Sequence, residues 1–182
     1  MKKLLIGAIV GGIIIFLWQF LSFAALDLHR VAQQYTPKQD TILSVLRANL
    51  QEGRYYMPTV ADNASNDEEI KLMDEMVGKD WAMVEYHAKY ENDMVMNMIR
   101  SLLVNILTVF LLGWVLTRGG ALSFSTIVTA SIFVGLMAFF NIAYANFIWY
   151  KSPGIWADLT DAIVPWALTG VWIGCTLIGS NL

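Results

Sequence analysis

The sequence predicts a helical membrane fold, with four transmembrane helices and a small α+β extracytoplasmic lobe between the first and the second. Hydrophobic residues make up 57% of the 182 residues and charged residues only 15%, proportions that differ from those of ordinary soluble domains. The charges are also concentrated, because residues 27–97 hold thirteen acidic and seven basic residues. A helix needs about 20 apolar residues to cross a bilayer. Four apolar runs approach or exceed that length: Leu4–Leu26, Ser101–Thr117, Ala121–Tyr150 and Ala162–Leu182.

The first transmembrane helix is predicted over residues 4–26. Its basic start at Lys2 and Lys3 and the small residue Ala24 would also fit a cleaved signal peptide. The apolar stretch is, however, much longer than the roughly 7–15 residues of a signal-peptide core. We therefore expect this segment to be retained as a membrane anchor.

The lobe is predicted over residues 27–93. Two capping-box sequences, Thr36–Gln39 and Ser65–Glu68, each precede apolar residues at helical spacing and predict two short helices. Alternating side chains over Trp81–Tyr90 predict a strand, and Arg54–Met57 is its possible partner. The lobe is therefore expected to fold rather than to act as a flexible linker.

Three further transmembrane helices are predicted over residues 94–117, 121–150 and 161–182. The turn Arg118-Gly119-Gly120 separates the second from the third, and Pro165 lies near the predicted start of the fourth, where its missing N–H costs little. Four crossings place both termini on the same side of the membrane. Lys2 and Lys3 favour the cytoplasmic side for the first helix, so both termini are predicted to be cytoplasmic.

Two small-residue motifs predict close helix packing. Gly7 and Gly11 are four residues apart in the first predicted span, and Gly170 and Gly174 are four apart in the fourth. This spacing lets two helix backbones approach closely in a membrane. Packing within the chain is the first interpretation, and association of two copies is the alternative.

Asp158, Asp161 and Arg100 are the charged candidates for an ion-pair or pathway site. The two acids precede the fourth predicted span, and Arg100 is expected at the same membrane depth on the second. One interpretation is structural, with the acids capping the helix N-terminus and pairing with Arg100. The other is a proton or cation site, because ionisable residues within a membrane are often functional.

Met94 and Met98, with His87, are weak candidates for an extracytoplasmic copper site. Thioether sulfur suits Cu(I), and Met94 and Met98 would share one face of a helix. Met96 would point nearly opposite, so a threefold site does not converge. We accordingly predict no bound metal and no cofactor.

No motif predicts an enzyme or a nucleic-acid-binding protein. His29 and His87 are the only histidines and Cys175 is the only cysteine, so no disulfide, zinc site or catalytic triad is recognisable. The net charge of −3 and the lack of a basic patch argue against nucleic acid. Polar side chains within the predicted spans are expected to hydrogen-bond between helices. They are Gln19, Asn105, Thr108, Asn141 and Asn146.

The order of several features resembles a group of small, uncharacterised bacterial inner-membrane proteins. The features are Trp18, Ser22 and His29 at the exit of the first helix, Gly53-x-x-Tyr56-x-Pro58, the segment Trp81–Tyr90, and Asp161 with Trp166 in the fourth span. The resemblance implies four helices, one lobe after the first helix, and a location in the bacterial inner membrane. It implies no reaction and no functional residues.

The leading functional hypothesis is a non-catalytic integral membrane protein. It would be an accessory or scaffold subunit that presents its lobe to a membrane-protein partner or to a second copy. The first alternative is a small transporter or a lipid- or ion-binding protein that uses Arg100, Asp158 and Asp161. The second alternative is the copper-binding protein described above.

Overall fold

The structure, a computed structural model, describes residues 2–120 and 122–178. The predicted start of the third span at Ala121 and the predicted end of the fourth, residues 179–182, lie outside the described residues. The chain divides into a helical unit, formed by the segments before Tyr35 and from Asp93 onward, and a smaller unit over Tyr35–Asn92. The elements in chain order are α1 (Lys2–Phe20), α2 (Gln39–Asn49), β1 (Gly53–Met57), α3 (Asn66–Met76), β2 (Ala82–Tyr86), α4 (Met94–Arg118), α5 (Phe124–Ala138), α6 (Ala145–Tyr150) and α7 (Ile155–Ile178).

Three helical stretches are long and apolar enough to cross a membrane, judged by length and composition. They are Lys2–Ala25, Met94–Arg118 and Phe124–Tyr150, with mean hydropathies of 2.4, 2.0 and 2.0. The described residues thus contain three such stretches rather than the predicted four. The fourth predicted span corresponds to α7, and its predicted end, residues 179–182, lies outside the described residues.

Two π-helical turns occur within these long helical stretches. One extends α1 over Leu21–Ala25, and the other, over Phe139–Tyr144, joins α5 to α6. A π-helical turn changes which side chains face a neighbouring helix, and such turns are frequent at functional sites. The first turn contains Ser22, which is fully buried. Neither turn was predicted from the sequence.

The helical unit packs around α1 and α7. α1 contacts both α4 and α7, α7 also contacts α5, and α4 and α5 make few contacts with each other. The buried apolar core between these helices consists of Ala8, Ile15, Val109, Leu112, Leu116, Ile127 and Ile173.

α7 begins earlier than predicted, which changes the position of Pro165. The helix starts at Ile155 rather than at residue 161, so Pro165 lies in its interior. The prediction that Pro165 lies near the start of the helix was therefore wrong. Because proline has no N–H, the helical hydrogen bond to the carbonyl of Asp161, four residues earlier, is missing. Pro165 itself is buried.

The smaller unit contains an antiparallel strand pair and two helices. β1 pairs with β2 in a register that runs from Gly53 opposite Tyr86 to Met57 opposite Ala82. This confirms the predicted pairing of Arg54–Met57 with the later strand. The later strand ends at Tyr86 rather than at Tyr90.

One predicted capping box is confirmed and the other was wrong. The Ser65 hydroxyl accepts a hydrogen bond from the Glu68 amide, and the Glu68 carboxylate accepts one from the Ser65 amide. At the other sequence, α2 begins only at Gln39, and Thr36 accepts a hydrogen bond from the Lys38 amide. A turn closed by the Gln39 amide and the Thr36 carbonyl separates Thr36 from the helix.

The capping box of α3 gives a prediction for the titration of Glu68. Hydrogen bonds from the backbone and hydroxyl of Ser65 lower the pKa of Glu68 below its ordinary value of 4.5. Because the folded-state pKa is lowered, the stabilisation is present above pH 4.5 and is lost as the pH falls through the lower value. NMR titration of the Glu68 carboxyl carbon should therefore show a midpoint below 4.5. In Ser65→Ala the midpoint should rise, and equal midpoints in the two proteins would contradict the assignment.

Candidate functional site

The centre of the candidate site is the carboxylate of Asp161, in the second turn of α7. Its Oδ1 accepts hydrogen bonds from Trp18 Nε1 and from Ser22 Oγ, both at 2.8 Å. The indole N–H can only donate, so Oδ1 is the acceptor. These two bonds connect the end of α1 to the beginning of α7.

His29 completes the set of partners of Asp161. Its Nε2 lies 2.8 Å from Asp161 Oδ2, and its Nδ1 lies 3.9 Å from an oxygen of Asp158. The imidazole ring stacks on Phe23, with ring centroids 3.9 Å apart and planes inclined by 4°. His29 is only 9% exposed. The carboxylate and the imidazole therefore form a largely shielded, hydrogen-bonded pair.

The chain after α1 is shaped to bring His29 back to this position. The amide of Leu28 donates to the carbonyl of Ser22 over 3.0 Å, and Asp27 adopts a left-handed conformation with φ of 50°. Asp and Asn tolerate this region better than most residues with a Cβ atom. The turn places His29 beside Ser22 and Phe23, which belong to the π-helical end of α1.

A second group of polar side chains links α1 to α4. Gln19 Oε1 accepts hydrogen bonds from Asn105 Nδ2 over 2.9 Å and from Ser101 Oγ over 3.2 Å. Asn105 is buried. The expected interhelical hydrogen bonding thus occurs at Gln19 and Asn105. In contrast, Thr108 and Asn141 bond to carbonyls of their own helices.

A cavity of about 420 Å³ lies between α1, α4 and α7. It brings the two polar groups to one space, because Asp161 is on one part of its wall and Gln19, Ser101 and Asn105 are on another. The remaining lining is apolar or aromatic, from Ile15, Phe23, Pro165 and Trp166. Small-molecule sites combine these features, with a mostly apolar surface and a few convergent polar groups.

The arrangement around Asp161 does not form a Ser–His–Asp triad. In a triad the serine hydroxyl donates to the imidazole, which then acts as its base. Here Ser22 Oγ donates to the carboxylate of Asp161, and His29 contacts the other oxygen of the same group. The carboxylate of Asp161 is instead the common partner of all three side chains, Trp18, Ser22 and His29.

The structure separates the three charged residues that were predicted to act together. Asp158 and Asp161 lie one helical turn apart on α7 and both approach His29. Arg100 is exposed on α4, and within residues 2–120 and 122–178 it forms no ion pair with either acid. The predicted ion pair with Arg100 was therefore wrong, because His29 occupies that place. Asp158 lies in the first turn of α7, where a negative charge interacts favourably with the helix dipole.

The methionine candidates do not come together with a further ligand in the helical unit. Met94 and Met98 lie one turn apart at the start of α4 and are exposed. His87 belongs to the smaller unit, where its Nε2 lies 3.7 Å from Glu85 Oε1. Across the described part of the chain, no group of three or more His, Cys, Asp or Glu side chains could hold a metal ion.

The four glycines of the two motifs differ in how closely they approach a neighbouring helix. A Cβ atom at Gly11 would lie 2.8 Å from Val109 Cγ1, and one at Gly174 would lie 2.7 Å from a ring carbon of Phe124. A Cβ atom at Gly170 would lie 2.9 Å from backbone and side-chain atoms of α5. At Gly7 the nearest atom would be 3.9 Å away, an ordinary contact.

Among the described glycines, the closest approaches to the backbone of a neighbouring helix occur at two that lie outside these motifs. A Cβ atom at Gly12 would lie 2.7 Å from the Cα of Ile106 on α4. At Gly135 it would collide with the carbonyl oxygen of Ala162 on α7. Small residues in membrane helices commonly permit such approach.

Sequence reasoning gave no role in the site to three of the residues that build it: Trp18, Ser22 and His29. A signal for two of them was present, because Trp18 and Ser22 are four residues apart and share a helix face. Nothing in the local sequence indicated that this face would meet Asp161, which lies 143 positions after Trp18 and 139 after Ser22.

No family model matches this chain, and no match was found among curated proteins or solved structures.

Proposed function

We propose that this chain is an integral membrane protein that binds a small ligand in the cavity beside Asp161. The observation that carries the proposal is the Asp161 carboxylate itself. It is held by Trp18, Ser22 and His29 and forms part of the wall of a cavity of about 420 Å³. An ionisable group that faces the interior of a helical membrane protein is often a binding or transport site.

The proposed membrane location rests on the three long apolar stretches and on their exposed faces. Large apolar side chains on these helices are more than half exposed in the isolated chain, among them Leu5, Leu17, Leu103, Leu111 and Phe133. We propose that lipid covers these faces and that α7 forms a fourth crossing. The smaller unit would then be extracytoplasmic, with both termini on the cytoplasmic side of a bacterial inner membrane.

Cysteine accessibility tests the membrane location and the cavity together. In a Cys175→Ser background, Ser101→Cys places a thiol on the cavity wall, and Leu103→Cys places one at similar depth on the outer face of α4, where the native side chain is 60% exposed. In intact membranes a small, water-soluble methanethiosulfonate reagent should label the first thiol at least about tenfold faster, because lipid suppresses thiolate formation at the second.

Two outcomes would overturn this proposal. Equally fast labelling of Leu103→Cys would show that the outer face of α4 is in water, which contradicts the membrane location. A lack of labelling at Ser101→Cys would show that the cavity is closed to water-soluble molecules.

A second candidate function is that of an accessory or scaffold subunit. The smaller unit supports it, because a groove of about 380 Å³ runs along α3 and Met73 and Val77 beside it are 66% and 82% exposed. Exposed apolar surface of this kind is typical of protein contacts. Gentle extraction from membranes should then yield a complex of fixed stoichiometry, and recovery of a lone monomer would count against this role.

A further inference from the structure

We propose that the cavity beside Asp161 binds a small organic cation, with a protonated or quaternary nitrogen as the recognised group. This inference rests on the proposed ligand-binding function and specifies the class of ligand. It is drawn from the charge around the cavity, from the aromatic part of its wall, and from its hydrogen-bond acceptors.

Asp161, which lines the cavity, belongs with His29 and Asp158 to a group whose net charge is negative in either protonation state of His29. With both carboxylates ionised, Asp158, Asp161 and His29 together carry −2 when the imidazole is neutral and −1 when it is charged. Among the described residues, no lysine or arginine forms an ion pair with either acid. A positively charged ligand would therefore find an incompletely neutralised site, and attraction is stronger there than in water.

The aromatic part of the cavity lining is suited to a cation. Phe23 and Trp166 both line the cavity, and an aromatic ring attracts a cation placed over its face. Phe23 also stacks on His29, which positions its ring beside Asp161. Aromatic side chains with a nearby carboxylate are a common way to recognise alkylammonium groups.

The polar side of the cavity supplies hydrogen-bond acceptors as well. Gln19 Oε1 already accepts from Asn105 and Ser101, which fixes the orientation of these three side chains. The amide oxygen of Asn105 and the hydroxyl oxygen of Ser101 are further acceptors on the same wall. A ligand with an ammonium group and a neighbouring hydroxyl would match this surface.

An ammonium group of this kind can come from a free amine or from a lipid headgroup. The cavity volume of about 420 Å³ accommodates either a small amine or the head of one lipid. The two sources share the chemistry that the site recognises, so the experiment needs one arm for each.

The first arm measures binding of choline to the detergent-solubilised full chain by isothermal titration calorimetry. Its uncharged isostere, in which a tert-butyl group replaces the trimethylammonium group, is the control ligand. Choline should bind at least about tenfold more tightly, because only the cation gains from the carboxylate and the ring faces. Equal affinities would overturn the inference, and so would an absence of choline binding.

Substitution of the carboxylate tests the same point independently. Asp161→Asn keeps an acceptor oxygen for Trp18 and Ser22 and removes the charge, so choline affinity should fall about tenfold or more. Asp74→Asn, at an exposed acid on α3, is the matched control and should bind choline as the native chain does. Unchanged binding in Asp161→Asn would contradict the proposal. The comparison of choline with its isostere stands even if this variant folds poorly.

The second arm distinguishes the two sources of the ammonium group. In nanodiscs of phosphatidylethanolamine the lipid headgroup would compete, so choline should bind at least about tenfold more weakly than in nanodiscs of phosphatidylglycerol. Equal choline affinity in the two lipids would assign the site to a free amine. Weaker binding in phosphatidylethanolamine and equal binding in the two lipids both support a cation site.

The two proposals can fail separately. If choline and its isostere bind equally while Ser101→Cys is labelled, the cation inference fails and the ligand-binding function stands. If Ser101→Cys is not labelled, the ligand-binding function fails with it.

Discussion

Replacement of Gly12 by alanine is expected to push α1 away from α4 and to destabilise the helical unit by about 1–3 kcal/mol. The added Cβ atom would lie 2.6 Å from a side-chain carbon of Ile106 and 2.7 Å from its backbone N and Cα. A side chain could rotate away from such a contact, but the backbone of a helix cannot. The helices would therefore have to separate along their shared contact.

Gly7→Ala is the matched control on the same helix. Its Cβ atom would meet nothing closer than Thr176 Cγ2 at 3.9 Å. Because alanine favours a helix over glycine by up to about 1 kcal/mol, this variant should be neutral or slightly more stable. Unfolding of purified protein in mixed micelles, followed by circular dichroism, measures both. Equal stability of the two variants would contradict the packing described for α1 and α4.

Asp161→Ala is expected to reduce stability by roughly 2–4 kcal/mol, because three side-chain groups lose a partner at about 1 kcal/mol or more each. Trp18 Nε1, Ser22 Oγ and His29 Nε2 all contact this carboxylate at 2.8 Å. The side chain of Asp161 is 20% exposed, so water can replace part of what is lost. The same unfolding assay measures the effect. The NMR signal of the Trp18 indole N–H should also shift.

Asp158→Ala separates the loss of a negative charge from the loss of these hydrogen bonds. Asp158 is 3.9 Å from His29 and its side chain is 34% exposed, so its removal should cost less than about 1 kcal/mol. A loss of stability as large as that of Asp161→Ala would show that net charge, rather than the hydrogen bonds, dominates the site.

The long helices and the strand pair could be predicted because their signals are local. Uninterrupted apolar runs indicate α1, α4 and α5, and the Ser65 box indicates the start of α3 through contacts within four residues. The start of α7 was placed too late, because the apolar run begins after Asp161 while the helix begins at Ile155. A polar first turn of a helix resembles a loop in the sequence, because the tertiary contacts of its side chains are not visible there.

The site could be predicted only at its acidic residues. Asp158 and Asp161 were conspicuous because charges are rare near apolar helices, and Arg100 was the nearest cation by expected depth. The actual partner, His29, depends on the π-helical end of α1 and on the left-handed turn at Asp27, which reverse the chain toward α7. Neither feature has a dependable signature in one sequence. The glycines at the closest backbone contacts, Gly12 and Gly135, follow Ala8 and Ser131 by four positions, so they match the general small-residue spacing but not the Gly-x-x-x-Gly motif.

The interior position of Pro165 has a mechanical consequence for α7. Since the carbonyl of Asp161 has no helical donor at this proline, the helix resists bending less there than along its remaining length. The first turns of α7, which contain both acids, are therefore joined to the rest of the helix at its most easily bent point. The contacts of Trp18, Ser22 and His29 with Asp161 therefore fasten the more easily bent half of the helix to the segment around the end of α1.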